Sequence, residues 1–137
     1  MNGSWLSITS LFLLFPIIIF ILNYKSNIYE TILASLLLLN IILSFLFWIN
    51  PIEKSLIHFY DGIFGKISCI LFSFYILFIK DIEYKIKLIF FIILLLSSII
   101  FYYSNKNSKK NWCSKEHLIC HSIFHILISI GCSIAFI

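Results

Sequence analysis

Three of the four histidines in this chain, His117, His121 and His125, stand four residues apart in an apolar stretch that runs on to Ile137. On a helix, positions i, i+4 and i+8 form one slowly drifting stripe, so the three imidazoles share a face. The residues after His125 are almost wholly apolar, which sets the stripe at membrane depth. Ionisable groups are expensive there and by default mark a functional site. An i, i+4 pair of imidazoles can hold one metal ion, the geometry that zinc metalloproteases use on a helix. His121 and His125 are the first candidate ligands, and His117, closest to the headgroups, is a further one. The fourth histidine, His58, opens another apolar run, with Asp61 at i+3 on the same face. The plain alternative is that these imidazoles only bond backbone or serine groups of neighbouring helices.

Such residues need elements to position them. With 61% hydrophobic and 12% charged residues in 137, the composition lies far outside that of soluble domains. The expected fold is all-α, an integral membrane bundle in one transmembrane domain. Its five helices are expected at about 5–22, 28–49, 55–79, 86–103 and 117–137, each near the length that crosses a hydrocarbon core. The first span lacks a basic leader and a small-residue cleavage site, so it reads as a helix and not a signal peptide. Pro16 inside it predicts a kink, tolerated where a neighbour satisfies the freed carbonyl. Residues 104–116 read as the longest polar loop.

A net charge of +4 would suggest nucleic acid in a soluble domain. Here lysines flank apolar spans as interfacial anchors, so the partner is the lipid bilayer and no nucleic acid. Cys69, Cys113, Cys120 and Cys132 form no CxxC and read as small apolar residues. Cys113 also continues the histidine spacing, which makes it a candidate soft ligand.

Alternating topology puts the Asn50-Pro51 connection and the loop before His117 on one membrane side. The start of the third helix (His58, Asp61), the start of the fifth (His117, His121, His125) and the end of the second (Ser44, Trp48) then share that side. Trp5, Trp48, Tyr60, Tyr102, Tyr103 and Trp112 mark its interface, with Tyr24, Tyr29, Tyr75 and Tyr84 at the other. Asp61 reads as the one acid inside a span. Lysines balance between the two sides and leave the orientation open.

If His121 and His125 bind zinc, His58 is the only imidazole outside the stripe that could be the third ligand. Three protein ligands and a water make an open catalytic site, where the metal brings the water's pKa to about 7. Asp61 could take the proton or orient an imidazole, and Ser44 could polarise a carbonyl. The chemistry would be hydrolysis of an amide or ester bond in a lipid substrate.

The segment HSIFHILISIG, His121 to Gly131, resembles the HxxxH last-helix motif of the CREST superfamily of membrane hydrolases, which includes alkaline ceramidases and adiponectin-receptor-like proteins. In that family an SxxxH ends the second helix, an aspartate opens the third, and three histidines bind zinc. Asp61-Gly62-Ile63 occupies the aspartate position here, and Ser44 stands four residues before position 48. The resemblance implies a shortened, divergent zinc-dependent hydrolase of lipid amides. Two departures bear on it: position 48 is tryptophan where the family has histidine, and five spans stand where the family has seven. A non-catalytic scaffold or receptor-like protein with a degenerate polar site is the alternative. A proton or metal-ion conduit along the histidine ladder is a third reading.

Overall fold

The computed structural model describes residues 4–23 and 25–137, so Tyr24 of the expected aromatic belt lies outside the described residues. Helices α1 (Ser4–Ser10) and α2 (Leu14–Leu22) are joined by a single 3-10 turn, Leu11–Leu13. Then come α3 (Ile28–Ile49), α4 (Leu56–Phe74, continued by a π turn over Tyr75–Ile79), α5 (Tyr84–Lys110) and α6 (Lys115–Ser133). With α1 and α2 counted together, these make five helices long and apolar enough to cross a membrane. The chain is thus an all-α, multi-pass integral membrane protein. Its outer surface fits lipid: Ile21, Ile70 and Phe78 are 71%, 68% and 74% exposed.

The expected kink is a tightened turn just before Pro16. Proline has no N–H for the carbonyl four residues back, that of Phe12. Ser129 Oγ on α6 donates to this carbonyl at 2.7 Å. A serine from the last helix thereby replaces the missing donor and ties α6 to the first span.

Two boundaries differ from the sequence reading. The fourth helix runs over Tyr84–Lys110, not 86–103, so most of the expected polar loop is helix. Polar side chains do not stop a helix that carries no proline or glycine, and Lys109 and Lys110 in its last turn suit the negative end of the dipole. The last helix covers Lys115–Ser133, not 117–137, and ends in a tight turn.

Packing is uneven. α6 lies along α5 and also meets the first span, while α3 packs against α1 and α4. α4 makes little approach to α5 or α6 except at its π turn, which touches α5. The histidine half of the bundle is therefore wedge-shaped, with a gap between α4 on one side and α5 and α6 on the other.

Candidate functional site

The two connections at the histidine end share one local plan. Lys54 and Cys113, both at positive φ (61° and 57°), reverse the chain. A serine then caps each helix: Ser55 Oγ accepts from the His58 N–H and Ser114 Oγ from the His117 N–H, both at 3.2 Å. This is the ordinary N-cap bond to the third helical residue. His58 and His117 are thus equivalent first-turn residues, held at the membrane face. Trp112 Nε1–H donates to the Pro51 carbonyl at 3.0 Å and fastens one connection to the other.

An aromatic plug fills the space between these turns. Trp48 stacks on Trp112 with centroids 6.2 Å apart, and His58 stacks on Phe47 at 4.7 Å. His117 packs against Trp112 at 5.2 Å and Trp48 at 5.9 Å. Leu6, Phe47, Trp48 and Leu118 are almost fully buried in this cluster. Cys113 packs beside it, and burial raises its thiol pKa, the reverse of what a thiolate ligand needs.

Beneath the plug lies a cavity of about 460 Å³. Four of the expected residues line it from three spans: Ser44 on α3, Asp61 on α4, and His121 and His125 on α6. The remainder of its wall is mainly apolar, from Leu13, Leu37, Phe72, Phe90 and their neighbours. His58 and His117 do not line it. His58 instead accepts from the Lys54 N–H through Nδ1 at 3.1 Å. The structure brings the carboxylate, the serine and two imidazoles to one cavity and keeps the other two imidazoles in the plug.

Both cavity histidines are oriented by hydroxyls. His125 Nδ1 is 3.0 Å from Thr9 Oγ1, and His121 Nδ1 is 3.1 Å from Ser104 Oγ. Thr9 Oγ1 donates its single proton to the Leu6 carbonyl at 3.1 Å. It can therefore only accept from the imidazole, which assigns the proton of neutral His125 to Nδ1 and the lone pair to Nε2. A metal-binding histidine is usually fixed in this manner. The rings of His121 and His125 stand 4.8 Å apart, nearly perpendicular.

Trp48 stands where the resemblance calls for a third imidazole, and it does face the expected neighbours. Its ring lies 5.0 Å from His121, but an indole is a donor only and cannot ligate. Among the described residues, no three His, Cys, Asp or Glu side chains are grouped closely enough to hold a metal ion. A three-imidazole zinc site is not assembled. The donor side chains lining the cavity are two imidazoles, one carboxylate and the thiols of Cys69 and Cys132.

Sequence reasoning missed a second polar centre at the opposite end. Glu30, not only Asp61, is an acid inside a span, and it is just 4% exposed. It closes a capping box with Asn27 and pairs with Lys80 Nζ at 2.8 Å. Tyr75 O–H donates to the same carboxylate at 2.8 Å and accepts from Asn27 Nδ2 at 2.8 Å. The π turn makes this possible, since its Lys80 N–H to Tyr75 carbonyl bond (2.8 Å) brings residues five apart onto one face. Lys80 also donates to the Ala135 carbonyl at 3.0 Å, which anchors the C-terminal turn. The missed signal was Asn27-x-x-Glu30, a capping-box spacing. Also unforeseen were the buried Asn40–Ser68 hydrogen bond between α3 and α4 and Lys66 on the cavity wall.

Leu33, Ala34, Leu37, Phe72, Ile76 and Phe136 belong to one buried apolar core, of which Leu37 and Phe72 also line the cavity. No family model matches the chain, and no curated protein or solved structure is significantly similar to it.

Proposed function

We propose that this membrane protein draws a lipid into the cavity and hydrolyses its amide or ester bond at the histidine end, with zinc as cofactor. The observation that carries this reading is one cavity, mainly apolar, that gathers Ser44, Asp61, His121 and His125 from three spans. His121 and His125 would hold the ion, with Asp61 replacing the absent third imidazole. Two histidines and a carboxylate are a donor set that open catalytic zinc sites use. Closing the set requires α4 to approach α6, and α4 packs little against α6 along the gap. Bound there, zinc would supply a Lewis acid and hydroxide near neutral pH. Thr9 and Ser104 hold the imidazole planes, Ser44 donates to the substrate carbonyl oxygen, and the apolar wall receives the chain and excludes water.

A second reading, a lipid-binding scaffold without catalysis, is favoured by Trp48 in the ligand position and by His58 stacked on Phe47 outside the cavity. Metal analysis of the detergent-purified protein separates the two. Hydrolysis expects about one zinc per chain, lost in both His121→Ala and His125→Ala together with cleavage of a fluorogenic lipid amide. A metal-free wild-type protein that leaves the amide intact makes it the scaffold.

A further inference from the structure

The wall of the cavity carries a charge that the hydrolytic reading does not use. Lys66 stands ten residues into α4, which begins at Leu56. At about 1.5 Å per residue that is roughly 15 Å along the helix, near the middle of the span. Lys66 lines the cavity and is exposed, so its ammonium is accessible from the cavity. Among the described residues it has no ion pair, whereas Lys80 has Glu30. An ammonium at this depth is expensive unless an anion reaches it, and such a residue implies a partner. Space for one is present beside it. Gly62 and Gly65 face the same cavity, and a Cβ built on either meets nothing within 4 Å.

We propose that Lys66 is the counter-ion of a long-chain carboxylate, a fatty acid whose chain lies in the cavity and whose carboxylate meets this ammonium. A carboxylate matches one ammonium charge for charge. The phosphate of an intact phospholipid is held at the interface, half a helix length away. The inference rests on the lipid-binding part of the proposed function and not on hydrolysis. If hydrolysis occurs, water adds across the acyl bond, the acyl carbon keeps the oxygen as carboxylate, and the leaving amine or alcohol takes a proton. Lys66 then offers that product a counter-ion at the cavity wall, on the same face as its exit to the bilayer.

The test is equilibrium binding of radiolabelled palmitate to the full chain in nanodiscs, with methyl palmitate as the uncharged probe. Palmitate is expected to bind saturably, Lys66→Met to weaken it about tenfold, and Lys66→Arg to hold it within about twofold, since a charge-assisted bond is lost in one variant and kept in the other. Methyl palmitate should bind the wild type and Lys66→Met equally, and Gly65→Leu should exclude both probes. Equal palmitate affinity in wild type and Lys66→Met overturns the proposal. So does stronger displacement by lysophosphatidic acid than by unlabelled palmitate, which would assign the site to phosphate. All these readouts are taken without turnover, so a chain that cleaves nothing can still pass or fail them.

Discussion

At the end built from Asn27, Glu30, Tyr75 and Lys80, polar groups are joined in one hydrogen-bonded network around the buried Glu30, and Lys80 reaches on to the chain's own C-terminal turn. At the end built from Ser44, Asp61, His121 and His125, comparable groups face a cavity, and their bonds serve mainly to aim the imidazoles. Both ends carry ionisable residues within spans, so charge at membrane depth does not by itself separate function from structure. Satisfaction separates them. A network whose donors and acceptors are paired with one another fixes helices in place. Groups left facing space, beside α4 with its loose flank, are available to a ligand.

Breaking the paired end should cost most. Glu30→Ala strands the Lys80 ammonium and the Tyr75 hydroxyl, and about 3 kcal/mol of stability should go, the low end for a broken buried pair because this one lies near the membrane face. Unfolding in mixed detergent measures it. The double variant Glu30→Leu with Lys80→Met should recover much of the loss, because no lone charge remains. Failure to recover would mean that the Ala135 contact, not the ion pair, holds this end.

At the cavity end the effects should be smaller. Thr9→Val removes the acceptor of His125 Nδ1–H, and about 0.6–1.7 kcal/mol is expected from the range of interhelical hydrogen bonds in bilayers. Under the proposed zinc chemistry its sharper readout is metal affinity, expected to fall about tenfold through loss of the orienting partner. A stability loss as large as that of Glu30→Ala would remove the contrast between the ends. The smallest effect belongs to Gly65→Ala, where added volume meets open space. A gain of about 0.5–1 kcal/mol in the same unfolding measurement is expected from helix propensity alone. A loss there would mean that this space is closed in the bilayer.

Much of this was legible from residue order. The apolar runs set five spans because a bilayer admits little else, and the i, i+4 spacing put His121 and His125 on one face. The side on which Ser44, Asp61 and the histidines gather came from alternation of the spans. Pro16 announced its freed carbonyl, but nothing near it in sequence named Ser129 as the donor. The extension of α5 through Lys110 was hidden because polarity was read as loop.

Sequence alone determined that this is a helical membrane protein with its histidines toward one face, because those properties depend on local periodicity and on the length of apolar segments. Tertiary structure decided which polar residues meet. His58 shares Asp61's helix face yet ends stacked on Phe47, while Glu30 and Lys80, fifty residues apart, form an ion pair at 2.8 Å. Helix rotation, the π turn and the gap beside α4 set those meetings, and each arises from packing between segments distant in the chain.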